Sequence, residues 1–409
     1  MKKINGKVKL VLGLQHILAM FGATVLVPFL TGLHPTVALL SAGIGTLLFH
    51  LVTKKMVPVF LGSSFAFIGA IALTLKTQGL GVVKGGIMVA GLVYILMALL
   101  IKVFGVEKIR SFFPPIVTGP IIMVIGLRLS PVALNMVGYS SEKGTFALIP
   151  LIIASVVIIS MVTISVLEKS YFRLVPILIS VVLGYLLSMA FGLVDFTKIA
   201  EASWIGMPKD AFADLMTIPK FTWTGILSIA PIALVVFIEH IGDITTNGAV
   251  VGKDFFKDPG IHRTMLGDGI ATLVAGLLGG PANTTYSENT GVLAVTKVYD
   301  PSILRIAAVY AIILSLVGKV GAVIQTIPLP VMGGISVILF GMIASIGVRT
   351  LVEAELDFAH SRNLIIASLI LVLGIAINNV SLVHGVTISG LAVAAIIGVV
   401  LNKVLPKNI

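Results

Sequence analysis

Apolar runs of roughly 20 residues recur from one end of this chain to the other, each long enough to cross a bilayer. Nothing else in the sequence restricts the fold as strongly. Of the 409 residues, 57% are hydrophobic and 11% charged, whereas a soluble domain carries about 25% charged residues. The expected fold class is an all-α polytopic membrane protein with no room for a sizeable soluble domain. The stretch Met1 to Lys9 is basic and precedes an apolar run, as a signal peptide would. No small-residue cleavage site follows and further spans do, so it reads as a retained first span.

Helical spans fall at about 9–31, 36–52, 81–103, 114–134, 146–167, 174–194, 222–250, 264–280, 302–326, 328–347, 363–378 and 383–402. Two more segments, about 58–75 and 282–297, are interrupted and too polar for ordinary spans. Counting both predicts fourteen crossings of the cytoplasmic membrane with both termini inside. Twenty of the 28 Lys and Arg residues then lie on the inner side, as the positive-inside rule requires. Dropping either interrupted segment inverts every later loop and spoils the bias. The net charge of +11 therefore reads as orientation and attraction to anionic headgroups of the lipid bilayer, not as nucleic-acid binding. The longest outer loop, about 195–221, reads as solvated chain. The absence of cysteine excludes disulfides, thiol catalysis and thiolate metal sites.

The two halves echo each other. Leu14-Gln15-His16-Ile17 matches Ile238-Glu239-His240-Ile241, and the same offset lays Gly62-Ser63-Ser64-Phe65 over Tyr286-Ser287-Glu288-Asn289. Pro115-Ile116-Val117-Thr118-Gly119 matches Pro330-Val331-Met332-Gly333-Gly334, and Gly126 and Gly341 share that second offset. Seven spans per half make the second copy enter the membrane in the opposite sense, an inverted repeat typical of secondary transporters. Broken segments at matching places in two such halves point to the binding site. Here they are Ser63–Phe67 and Asn283–Ser287. Each is expected to contain a short extended stretch running into a half-helix. Two such stretches could pair, and would present backbone N–H groups and helix N-termini to a ligand's oxygens.

Four of the 17 acidic residues fall within spans: Glu239, Asp243, Asp268 and Glu288. A carboxylate at membrane depth is by default functional. Glu239 and Asp243 are four apart on one helix face, and no Lys or Arg lies mid-span near them. Asp268, between Gly267 and Gly269, fits packing or capping better. His16 and His240 occupy matching positions and read as supporting groups. The run Gly248–Asp254 has the wrong spacing for a phosphate loop and lacks its Ser/Thr. There is no HExxH, no metal-spaced histidine pair and no nucleophile elbow. The chain is not expected to be an enzyme.

Glu288-Asn289-Thr290-Gly291, followed by Thr296-Lys297, fits every fixed position of the signature of the nucleobase–ascorbate transporter family. Gln15–Thr24 and Gly62–Phe67 resemble segments of its bacterial uracil permease branch, and the similarity runs along nearly the whole chain. The resemblance implies a core domain formed by 1–110 and 222–326, a gate domain formed by 111–221 and 327–409, and uracil–proton symport by a homodimer. The only cofactor it implies is the coupling proton. Its substrate contacts fall on Ala23, Phe65, Glu239, Tyr286, Ser287 and Glu288. Proton coupling falls on Glu239, Asp243 and Glu288, with Gln15, His16, Ser64, His240 and Asn289 around them. Uracil permeases usually carry His where this chain has Asp243, which leaves room for a purine or another pyrimidine. Phe340 stands where the nearest relatives have a hydroxyl-bearing aromatic.

Physically, uracil's ring N–H groups can donate to Glu239 and Glu288, while backbone N–H groups near Phe65 and Ser287 donate to its carbonyls. The Phe65 ring can pack on the base. Two neighbouring carboxylates resist double ionisation, so Asp243 and Glu239 could share a proton. The competing readings are an anion exchanger, which the carboxylates would repel, an intramembrane enzyme without a visible catalytic pair, and a passive channel.

Overall fold

Helices dominate because long apolar stretches in a bilayer must close their own backbone hydrogen bonds. The computed structural model of the chain describes residues 5–166, 175–377, 379–381 and 387–406. In chain order the elements are α1 (Gly6–Thr31), α2 (Pro35–Val52), β1 (Leu61–Ser63), α3 (Ile68–Gln78), α4 (Leu80–Phe104), α5 (Val106–Arg110) and α6 (Pro115–Met136). Then come β2 (Tyr139–Ser140), β3 (Thr145–Phe146), α7 (Leu148–Val166), α8 (Pro176–Ala190), α9 (Phe196–Glu201), α10 (Lys209–Met216), α11 (Trp223–Ile229), α12 (Ala233–Val251) and α13 (Ile261–Leu278). The chain closes with β4 (Asn283–Thr285), α14 (Ser287–Thr296), α15 (Pro301–Ser315), α16 (Gly318–Gln325), α17 (Leu329–Glu353), α18 (Ser361–Ala376), β5 (Asn379–Ser381), β6 (Thr387–Ser389) and α19 (Gly390–Val404). Pro35, Pro115, Pro176 and Pro301 open their helices, at the one position where a missing N–H costs nothing. Among the described residues seven helical stretches are long and apolar enough to cross a membrane, and shorter apolar helices accompany them.

The helices pack in two groups. In one, α13 lies between α4 and α2, α15 packs on α1 and α2, and α12 packs on α4 and α14. In the other, α6 and α17 lie side by side, with α7 and α8 against α17 and with α18 and α19 against α6. Glycines set the closest approaches. A methyl group on Gly126 would overlap the backbone of Phe340 and Ala344, and one on Gly347 would overlap Gly119 and Met123. Small residues at such crossings let helix backbones touch, which supplies most of the packing gain in a lipid solvent.

The structure departs from the sequence reading in four places. The 195–221 segment is not slack solvated chain: it forms α9 and α10 and is pinned to the first group. Fully buried Lys84 donates to Asp214 O and Leu215 O at 2.9 and 3.1 Å, and Lys319 donates to the carbonyls of Ile199 and Ala200. Those anchors sit more than a hundred residues from the carbonyls they hold, so no local pattern announces them. The span expected at 302–326 is split into α15 and α16 at Leu316–Val317, where Gly206 adds a parallel bridge. The expected span 222–250 contains a 3-10 turn at Ala230–Ile232 around Pro231. Finally, β2–β3 and β5–β6 are antiparallel pairs outside the two interrupted segments. The expected start of the last span, 383–386, lies outside the described residues.

Two expectations follow. Gly126→Val should lower the stability of the purified protein by about 1–3 kcal/mol through overpacking. Gly341→Ala, on the same helix pair but facing open space, should be neutral or slightly stabilising; thermal unfolding in detergent compares them. The second expectation concerns Asp300. Burial alone would raise its carboxyl, but hydrogen bonds from Lys9 and Ser302 outweigh that and hold it below the usual carboxylate range. Its contribution is therefore complete above the ordinary value of about 3.9 and is lost as pH falls through the lower folded value. Asp300→Asn should melt below wild type at pH 7, with the gap closing in acid.

Candidate functional site

The middle of the first helix group holds the one feature that lipid would forbid, namely extended chain. β1 and β4 solve this by pairing antiparallel, with Leu61 opposite Thr285, Gly62 opposite Thr284 and Ser63 opposite Asn283. Ser64 N to Ala282 O (2.8 Å) and Tyr286 N to Phe60 O (3.0 Å) extend the ladder at either end. Buried threonines close the outer edges. Thr46 of α2 accepts from Leu61 N at 2.9 Å. Thr272 of α13 accepts from Asn283 N at 3.2 Å and donates to Asn283 O at 2.9 Å.

Because the strands are antiparallel, α3 and α14 leave from opposite ends of the pair. The strand ends from which they leave, Ser63 and Thr285, are thus about 7 Å apart along a strand that rises about 3.4 Å per residue. The Tyr286 ring lies across Gly62, where a Cβ would collide with it, and its hydroxyl donates to Ser63 O at 2.9 Å. Ser63 Oγ in turn donates to Thr24 O of α1 at 3.0 Å.

Asp243 reaches this pair from α12. Its two oxygens accept from Thr285 Oγ1 at 2.8 Å and Ser287 Oγ at 2.6 Å. Glu239, one turn earlier, lies within electrostatic range of Asp243, Glu288 and Asp268. Glu239, Asp243 and Glu288 are half-buried and Ser287 is exposed. Ala23 and Tyr286 share an apolar cluster against which Phe65 packs. Phe65 also meets Phe340 of the other helix group edge-on, with ring centroids 6.4 Å apart. The structure thus gathers Ala23, Phe65, Glu239, Asp243, Tyr286, Ser287 and Glu288 around one strand pair, at the border between the two groups.

The surrounding candidates divide. Asn289 donates from Nδ2 to His16 Nδ1 and to His16 O, both at 3.1 Å, tying α14 to α1. His240 makes no hydrogen bond to Glu239, Asp243 or Glu288 among the described residues. Its Nδ1 meets Asp268 Oδ2 at 2.8 Å, and its Nε2 meets Thr264 Oγ1 at 2.9 Å. Ser64 is buried with an unpartnered hydroxyl. Gln15 makes no hydrogen bond among the described residues and stands apart. Sequence reasoning missed Thr285, Thr46 and Thr272. Thr285 was within reach, since strand alternation places it on the same face as Ser287. Thr46 and Thr272 carry no local signal.

Two solved structures share this fold. The transmembrane domain of a cyanobacterium bicarbonate transporter BicA aligns with TM-score 0.66 and 16% identity over 97% of this chain and 96% of that one. Murine Slc26a9, an anion transporter in the inward-facing state, aligns with TM-score 0.73 and 13% identity over 98% of this chain and 68% of that one. At such identities the likeness establishes the fold alone. The profile of the Permease family matches residues 7–383, and the chain belongs to that family of xanthine and uracil permeases, the nucleobase–ascorbate transporters. Two relatives are the uracil permease of Bacillus caldolyticus, 46% identical over 97% of this chain and 91% of its own length, and that of Escherichia coli (strain K12), 42% identical over 96% and 90%. These relatives are permeases, not enzymes.

Gly62→Ala should push the Tyr286 ring off the strand pair and cost about 1–3 kcal/mol of stability. Tyr286→Phe, which loses the bond to Ser63 O but keeps the ring, should cost about 0.5–1.5 kcal/mol. Thermal unfolding in detergent ranks the two, and an unchanged Gly62→Ala protein would contradict the packing described.

Proposed function

We propose that this chain imports uracil across the cytoplasmic membrane by proton symport. The observation that carries this reading is the carboxylate trio Glu239, Asp243 and Glu288 set around the β1–β4 pair. Glu239 and Glu288 accept from the two ring N–H groups of the base. Backbone N–H groups at the starts of α3 and α14 donate to its carbonyls, and Phe65 covers one ring face. The uracil permease names of the relatives support this substrate. Carboxylates beside the half-helix starts disfavour the anions named for the structural neighbours.

Both Asp243 oxygens already accept from hydroxyls. Each oxygen keeps a second lone pair, so a proton can arrive with both bonds in place, and a Ser or Thr rotor can also turn to accept from it. Asp243 thereby becomes a proton acceptor one helical turn from Glu239, in the place where the uracil permease branch usually carries His. The two helix groups serve as core and gate, moving against each other across the Phe65–Phe340 contact. Their contacts come in matched pairs: α4 on α13 and α15 on α2, α17 on α7 and α6 on α18, α7 on α8 and α18 on α19. That pairing supports an inverted repeat of seven spans each, fourteen in all. The working unit is a homodimer, with both termini cytoplasmic.

Uptake of labelled uracil, xanthine, guanine and adenine into proteoliposomes, with and without an imposed pH gradient, tests the assignment. Uracil should saturate uptake and be concentrated only under the gradient; xanthine preference with no competition from uracil would overturn it. Glu288→Gln and Glu239→Gln should each weaken uracil binding roughly ten- to hundred-fold, the loss of one charged hydrogen bond of about 1.5–3 kcal/mol. Asp243→Asn should keep binding and exchange but lose uphill accumulation.

A further inference from the structure

At the end of the molecule where α1 begins, a cavity of about 380 Å³ opens between α4, α5, the 111–114 linker and α19. That volume lies within the range of small-molecule sites, about 300–1,000 Å³. Its walls are almost wholly apolar, formed by Met97, Leu100, Phe104, Phe112, Phe113 and Val399. Two ammonium groups sit at its mouth. Lys108 Nζ lies 4.9 Å from the Phe104 ring centroid, and Lys403 Nζ lies 4.0 Å from that of Phe112 while reaching Ser111 Oγ at 3.4 Å. The rings hold both lysines over the cavity by cation–π attraction and leave most of their N–H donors free. Among the described residues neither ammonium is paired with a carboxylate. Lys102 adds a third positive charge at the end of α4, and Glu107 of α5 carries an exposed carboxylate.

We propose that this cavity is a binding site for an anionic phospholipid, with an acyl segment in the slot and the phosphate on Lys108 and Lys403. An apolar slot capped by cations at the basic face of a membrane protein is complementary to that amphiphile and to little else. A zwitterionic lipid offers the chain but sets its own cation against the lysines. A soluble anion offers the charge but leaves the slot unfilled. The walls come from both helix groups, since α4 belongs to one and α19 to the other. On the core-and-gate reading proposed above, the bound lipid is a bridge across the moving seam.

Thermal unfolding of the purified full chain in detergent, titrated with dioleoyl phosphatidylglycerol or dioleoyl phosphatidylcholine, tests the site. Phosphatidylglycerol should raise the melting temperature saturably and phosphatidylcholine should not. The Lys108→Gln/Lys403→Gln double variant should need about thirty-fold more phosphatidylglycerol, the expected effect of two basic groups at a membrane surface. Val399→Trp should weaken the response by narrowing the slot with both lysines intact. A Lys7→Gln/Lys257→Gln variant, which removes the same charge elsewhere on that face, should respond as wild type. Equal responses to the two lipids, an unaltered response in the Lys108/Lys403 variant, or full stabilisation by glycerol 3-phosphate alone would each overturn the proposal. The readout needs no substrate, so its failure is distinct from a failure of the transport assignment.

Discussion

The constraint on which the rest of this structure depends is the need to satisfy extended backbone at membrane depth. An unpaired peptide group in hydrocarbon costs several kcal/mol, and β1 and β4 together expose six residues' worth. Pairing with each other settles one side of each strand. The outward sides are settled by Thr46 and Thr272, whose hydroxyls reach Leu61 and Asn283. Those two threonines require α2 and α13 to flank the pair, one on each side. Asn283 Nδ2 then fixes α2 further by donating to Ser41 O at 3.1 Å, and Asn247 of α12 does the same for the approach to β1 by donating to Pro58 O at 3.1 Å. The arrangement of the first helix group thus follows from hydrogen-bond accounting around two three-residue strands.

The same accounting separates the buried acids. Asp268 is fully enclosed and closed off by His240, whose second nitrogen is occupied by Thr264. Thr264 spends its own proton on Ile261 O, so His240 donates to it from Nε2 and turns Nδ1 to Asp268. A hydrogen-bonded partner is how a carboxyl group is tolerated in such a place. Asp243 differs: its partners are rotatable hydroxyls that can donate or accept. Glu239 differs again, with no side-chain hydrogen bond among the described residues. A graded set, from locked to free, leaves the chemistry to the members nearest the strand pair.

Much of this was legible beforehand, and the reasons are specific. Glu239 and Asp243 fall on one face because four residues make about one turn. The extended segments announce themselves because Gly62–Phe67 and Asn283–Ser287 interrupt apolar periodicity at matching places in the two halves. What could not be read were partners far apart in sequence. Nothing near His240 says that it faces Asp268 rather than Glu239. Nothing in Lys84 or Lys319 distinguishes a buried clamp from a lysine that merely marks the outer side.

Those two clamps bear on how the fold can move. Each lysine places its charge on carbonyls at the C-terminal end of a short helix, the negative end of the helix dipole, Lys319 on α9 and Lys84 on α10. Together with His34, whose ring meets Asp210 at 3.3 Å, they fasten the 195–221 segment to α2, α4 and α16, all in the first group. Yet this segment is continuous with α8, which packs on α7 and α17 in the second. Between α8 and the first clamped turn lie only residues 191–195, with Gly192 in the left-handed region at φ +70°. Any relative displacement of the two groups on this face must be absorbed by these few residues. A segment that reads as slack in the sequence is thus fixed along most of its length, and its freedom is confined to one short joint.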